Sequence, residues 1–377
     1  MSSPEVGRTL LQAGLQAATG STFSIDGAGV PDASPDQFRQ MLLERAVREK
    51  MMPMLASYAR VNDLGLGDVP ERLTKVYGII TREQYAHLRP AMDELARRGI
   101  PVLLIKGADL DLAVYEKRFP RVMGDIDILV RPPDAPAVIE VFRSQGFLQG
   151  KLDRNLLAIL PLSDEEREDL EEDSIELAEL SKLIAVPDLL PFRDVIDSHL
   201  AYWRMMPLHD TYYLVIGYDV HLHLSLDLDL EDAWTNLRTI DFPETGPCLA
   251  QSFTDMAWYL AARLYHELHM SNAAILRAFL DVLLIVHRKH GEIDWDRISF
   301  IADKYKLHPS LYYVFWHIHE ILGGIVPCGL LEKLCPLSAD AERGHDWGDF
   351  VPKMLGEINV SSILRRNPAP VSVLVAG

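Results

Sequence analysis

Asp125 and Asp127 stand two residues apart in the run Met123-Gly124-Asp125-Ile126-Asp127-Ile128-Leu129-Val130. A strand alternates its side chains with a period of two, so a strand over residues 125–130 presents both carboxylates on one face. Two such carboxylates repel each other unless a cation lies between them. All-oxygen ligands favour Mg²⁺, which keeps waters and takes up substrate phosphates as further ligands. The pair therefore suits metal-assisted phosphoryl or nucleotidyl transfer; a solvated turn at the start of a strand is the plainer alternative. A third acid fits the same pattern: a strand over Tyr212–Leu224 places Asp219, His221 and His223 on one face, with Val220, Leu222 and Leu224 on the other.

The elements that position these residues follow from the apolar periodicity. Residues 1–97 read as helices. Ser34-Pro35-Asp36 gives an N-cap, a proline in the first turn and an early acid, followed by Phe38, Met41, Leu42 and Ala46 at helical spacing. A second helical run spans Pro70–Arg98 and stops at Gly99. Val102–Ile105 then reads as a buried strand, Lys106-Gly107-Ala108 ends it, and Asp109–Lys117 reads as a short helix. After the strand at 125–130, a proline-rich turn leads into a helix over Ala135–Gln145 that stops at Gly146.

Residues 150–210 read as an insertion holding an acidic helix. Ser163 and Glu166 form its capping box, and Leu177, Leu180 and Ile184 make its second half amphipathic. Beyond residue 254 helices are predicted over 254–270, 273–289 and 309–322, with a loose tail from Pro368. The aromatic stretches Tyr202–Met206 and Tyr312–Trp316 read as core. The predicted domains are 1–97, a core over 98–245 with the insertion, and 246–377.

Composition narrows the partners. The net charge is −18, and Ser163–Leu183 alone carries −8 of it, with ten acids against Arg167 and Lys182. Such a balance disfavours a long nucleic acid as the ligand, since those are gripped by basic surfaces, and leaves room for a local phosphate pocket. Cys248, Cys328 and Cys335 lack metal-site spacing, no apolar run reaches the length of a membrane span, and no signal segment is recognisable; the expected address is the cytoplasm.

Taken together, these residues resemble the polymerase-β-like nucleotidyltransferase superfamily, and more closely its branch of uncharacterised nucleotidyltransferases. The carriers are Gly99–Ala108, Tyr115, Arg121–Val130, Tyr218-Asp219-Val220-His221 and Arg277-Ala278-Phe279-Leu280-Asp281. The resemblance implies an α+β fold: a small mixed-sheet core flanked by N-terminal helices and a C-terminal helical domain. It implies that Asp125, Asp127 and Asp219 hold Mg²⁺ or Mn²⁺, and that Asp219 helps deprotonate the acceptor. It further implies that the Gly107–Ala108 helix start, beside Gly124, receives the nucleotide phosphates, with Lys106 and Arg121 neutralising them. Ala108 departs from the wider superfamily, which has Gly or Ser there, so phosphate holding would fall to backbone amides and Lys106. Arg121 could instead bridge to Asp125. Arg277 and Asp281 could face the nucleotide or form an intrahelical ion pair.

The implied reaction moves a nucleoside monophosphate from an NTP, ATP foremost, to a hydroxyl or phosphate of a small-molecule or peptide acceptor, releasing pyrophosphate. Two alternatives stay open: a catalytically silent nucleotide-binding or protein-interaction module on the same fold, and a metal-dependent hydrolase using His221 and His223. His209-Asp210, His266 and His269 read as ordinary interior or surface residues, whereas His221 stands close enough to Asp219 to border the site.

Overall fold

The computed structural model describes residues 4–20, 34–116, 119–172, 174–200, 204–270 and 275–335. The fold is mixed α+β and divides into two compact units, one spanning Glu71–Ser252 and the other combining Met1–Pro70 with Phe253–Gly377. In the second unit the helices Pro4–Thr19, Pro35–Arg48 and Met52–Val61 share a core with Phe253–Met270, Ile275–Lys289, Trp295–Tyr305, His308–Leu322 and Cys328–Leu334. Leu10, Leu42, Leu55, Phe279, Leu283 and Phe315 are among its buried side chains. Gly14 allows the first helix to approach Leu280 closely, since a Cβ there would lie 2.2 Å from a Leu280 methyl.

The Glu71–Ser252 unit is built on nine strands: β1 (Leu103–Leu104), β2 (Ile126–Leu129), β3 (Leu148–Asp153), β4 (Ala158–Pro161), β5 (Leu180–Ala185), β6 (Met205–Leu208), β7 (Thr211–His221), β8 (Leu237–Phe242) and β9 (Gly246–Gln251). Their order is β4-β3-β5-β7-β2-β1-β9-β8, with β6 also on β7. The long β7 organises this sheet. β5 runs antiparallel along one edge, while the other edge is shared by β6, opposite Thr211–Leu214, and by the parallel β2, opposite Tyr218–His221.

Register then separates the chemistry from the core. Ile126 pairs with Tyr218 and Ile128 with Val220, and all four are buried. The Tyr218 ring packs against Phe142 and Phe147, with centroids 5.2 and 5.0 Å away, and its hydroxyl donates to the Gln84 carbonyl of the helix Val69–Arg97. Between these positions Asp127 pairs with Asp219, so the two carboxylates share the opposite face.

Several sequence expectations need correction. The acidic helix, capped by Ser163 and Glu166 as predicted, covers only Asp164–Glu171. Its expected amphipathic half is instead β5, because Leu180–Ala185 finds a full ladder of backbone partners on β7 that outweighs the helical spacing of Leu180 and Ile184. The segment 150–210 thus supplies strands to the sheet on both sides of β7. The helix expected at Asp109–Lys117 begins earlier, as one α-turn over Lys106–Asp109, and continues as a π-helix over Leu110–Val114. The strand expected to run to Leu224, β7, stops at His221, so His223 lies beyond it, and β8 and β9 had no sequence signal strong enough to be predicted. The tail from Pro368, Tyr202, Trp203 and Lys117 fall outside the described residues.

Candidate active site

The acidic face is assembled from four residues on or just before three strands. Asp125 immediately precedes β2, Asp127 lies within it, Asp219 lies on β7, and Glu179 immediately precedes β5. Leu180 pairs with Tyr218, which sets Glu179 beside Asp219 just as β2 sets Asp127 on its other side. One carboxylate oxygen from each of Asp125, Glu179 and Asp219 lies within 4.8 Å of the others. All three are half-buried. Three hard anionic oxygens converging in this way fit a divalent cation of the Mg²⁺ or Mn²⁺ kind, by donor chemistry and spacing.

Electrostatics support the same reading. Burial, and then the charges of Asp125, Asp127, Glu179 and Glu176, push the Asp219 carboxyl up to about 8. It either keeps a proton near neutrality or needs a cation beside it. Asp127 is the opposite case. Burial would raise its carboxyl, but the hydrogen bond from His221 and the charge of Lys106 outweigh that and hold it below the ordinary carboxylate range. Lys106 Nζ donates to Asp127 Oδ1 at 2.6 Å, and His221 Nε2 lies 3.0 Å from both that oxygen and Lys106 Nζ. His221 also reaches Glu176 at 3.2 Å.

Lys106 is held in this direction by its backbone. Its φ is +51°, a left-handed conformation that L-residues adopt at a cost of roughly 1–2 kcal/mol. Two buried aspartates brace the turn that follows. Asp109, pushed up to about 6 by burial against the opposing charge of Arg238, accepts a two-pronged hydrogen bond from that arginine at 2.8 and 2.7 Å. Asp111 accepts from the Arg121 backbone N–H at 2.9 Å and from the Tyr85 hydroxyl at 3.0 Å, tying the π-helix to the approach to Asp125. The Arg121 guanidinium lies over Gly107, where a Cβ would come within 2.6 Å of Nη1. Ala108 is buried, and the Gly124 carbonyl accepts from Gln84 Nε2 at 3.4 Å.

Arg204 completes the cluster. Its side chain is 3% exposed, donates to Glu179 at 2.9 and 2.5 Å, and contacts Asp125 Oδ2 at 3.2 Å. Gly217 makes room for this pair, since a Cβ there would lie 2.2 Å from Arg204 Nη1 and 2.6 Å from Glu179.

A model of the uncharacterised nucleotidyltransferase family matches residues 39–323. The chain belongs to that family. No curated protein and no solved structure matches the chain. The match covers every acidic and basic residue of the cluster described above.

Of the residues singled out in the sequence, the structure brings Asp125 and Asp219 together and sets Asp127, Lys106 and His221 alongside them. Arg277 and Asp281 lie in the helical unit, on Ile275–Lys289, where Asp281 is buried and the charge of Arg277 acts on Glu49. His209 and Asp210 form the tight turn between β6 and β7, with His209 at φ +49°, and His266 is exposed on a helix. Glu179 and Arg204 were missed. Glu179 is one of ten acids in a run that reads as solvated, and Arg204 sits in a stretch that reads as core; neither carries a local signal.

A cavity of about 750 Å³ opens along one face of the helix Val69–Arg97. Gly78, Thr81 and Tyr85 from the helix line it, with Asp111, Pro120 and Pro243. Gln84, on the same helix, is the residue that holds the Gly124 carbonyl next to Asp125.

Proposed function

We propose that this protein is an active nucleotidyltransferase, moving a nucleoside monophosphate from an NTP to a hydroxyl or phosphate of a small-molecule or peptide acceptor and releasing pyrophosphate. The observation that carries this reading is the convergence of Asp125, Glu179 and Asp219 beside the Lys106–Asp127 pair, in a chain of the nucleotidyltransferase family. Asp125, Glu179 and Asp219, joined by Asp127 once Lys106 lets it go, would hold Mg²⁺ or Mn²⁺. When bound there, the cation supplies charge neutralisation at the α-phosphate and orientation of the acceptor oxygen.

The chain's own residues do the rest. Lys106 exchanges Asp127 for a nucleotide phosphate, and Arg121 adds positive charge on the Gly107 side. Asp219, ionised once a cation stands beside it, takes the proton of the acceptor hydroxyl. The cavity beside Gly78 and Tyr85 has the volume of a small-molecule site and is our choice for the acceptor. Arg277 is assigned to the nucleotide on the family resemblance alone. ATP is the first nucleotide to try.

The test is incubation with each α-labelled NTP, Mg²⁺ and a cell extract, using wild type and the D125A/D127A variant. Wild type should label an acceptor and release pyrophosphate, and the double variant, folded by circular dichroism, should do neither. Transfer retained by that folded variant would sink the proposal.

One observation favours a second reading. Arg204 already neutralises part of the cluster, so the acids can persist in a silent nucleotide-binding module. Calorimetry separates the two: a silent module binds NTP without Mg²⁺ and never yields pyrophosphate.

A further inference from the structure

We infer that Arg204 is a built-in counter-ion of the acidic cluster, a positioning residue that competes with the divalent cation and sets how tightly it is held. The inference rests on the metal-site reading above but concerns a residue outside it. Arg204 immediately precedes β6, which no pattern in the sequence connects with Asp125.

Four observations converge. The guanidinium is almost wholly buried, so its charge is poorly screened and acts on its neighbours at close range. It bonds both nitrogens to Glu179 and one to Asp125, two of the three residues whose oxygens converge. Among the described residues, the third, Asp219, has no such ion pair. Topology holds the arginine there: β6 ends its pairing at Leu214 and β2 begins at Tyr218, and in the gap the Arg204 carbonyl accepts from Val215 N–H. Gly217, whose missing side chain leaves the space the Arg204–Glu179 pair fills, lies in that gap.

The consequence is electrostatic. A dication entering among Asp125, Glu179 and Asp219 meets a fixed positive charge within hydrogen-bonding distance of two of its ligands. It must share those oxygens with the guanidinium or displace it. Removing the positive charge while leaving a hydrogen-bond donor should therefore tighten cation binding, whereas keeping the charge and losing the planar fork should not.

The experiment is Mn²⁺ titration of the full chain, read by the free-Mn²⁺ electron paramagnetic resonance signal at pH 8, without nucleotide. R204Q keeps an N–H donor and loses the charge; R204K keeps the charge; E179Q loses a ligand. We expect R204Q to bind Mn²⁺ at least about tenfold more tightly than wild type, R204K to stay near wild type, and E179Q to bind more weakly. If wild type binds no measurable Mn²⁺, R204Q should gain binding. Unchanged or weaker binding by folded R204Q, or equal tightening by R204K, overturns the inference. R204M serves as a second charge-free variant, and if both R204Q and R204M fail to fold, Arg204 is a structural residue and the inference is wrong. The transfer reading fails separately: tighter Mn²⁺ binding by R204Q with no pyrophosphate from any NTP leaves this inference standing and removes that one.

Discussion

At the scale of single residues, Asp219 is where sequence and environment disagree most. An isolated aspartate titrates near 4, whereas this one, half-buried among carboxylates, is pushed up to about 8. Between those values the unfolded chain has lost the proton and the folded chain keeps it. The folded state then binds more protons, so stability falls as pH rises through the window from about 4 to about 8 and levels off above it. In chelator, the melting temperature of wild type should decline across that window more steeply than that of Asp219→Asn. Saturating Mg²⁺ should flatten the wild-type curve, because a cation replaces the proton. Equal slopes for the two proteins would show that Asp219 is not the group responsible. The acid itself was legible from strand alternation. Its proton affinity was not, because Glu179 and Asp127 come alongside it only through pairing with other strands.

At the scale of elements, the local code was strong where one segment decides its own structure. Ser34 caps its helix and Ser163 with Glu166 forms a capping box, as the sequence indicated. It was weak where a partner decides. Leu180–Ala185 is apolar at helical spacing yet is a strand, since β7 offers it a ladder on one edge. Two glycines of the sheet unit test how tightly these elements are set. Gly150, on β3, faces the Leu160 carbonyl of β4, where a Cβ would lie 2.4 Å away, and backbone cannot swing aside as a side chain does. Gly150→Ala should lose about 1–3 kcal/mol in urea denaturation. Gly78, in the helix Val69–Arg97, has nothing within 4 Å of such a Cβ. Gly78→Ala should gain about 0.5–1 kcal/mol by the same measurement, because alanine loses less backbone freedom in a helix. Loss of stability in Gly78→Ala would mean that the cavity it lines is closed in solution.

At the scale of the whole molecule, charge is the governing quantity. A chain with net charge −18 repels a triphosphate at long range, even though Lys106 and Arg121 stand near the acids. Raising ionic strength from about 0.01 M to about 0.15 M shortens the screening length from roughly 30 Å to roughly 8 Å. The KM for NTP should fall over that range with little change in kcat, and initial-rate kinetics would register it. A KM that rises with salt would mean instead that a local basic surface steers the nucleotide. Among the described residues, no helix is long and apolar enough to cross a membrane, in line with the absence of such a run in the sequence.

By itself the sequence determined the pieces whose chemistry is written in consecutive residues. These are the Asp125-Ile126-Asp127 strand entry, the Asp219 strand, the Lys106-Gly107 turn, the flanking helices and the likeness to the family that the match over residues 39–323 then established. Tertiary structure alone decided which groups meet. Lys106 turned to Asp127, 21 residues away, and Arg204 reached Asp125 across 79. Glu179 left an apparent solvated helix to stand beside Asp219. The physical reason is that alternation along one strand fixes only which face a side chain takes. Which side chains share that face depends on register between strands distant in sequence, and register is settled by burial of the opposite, apolar face.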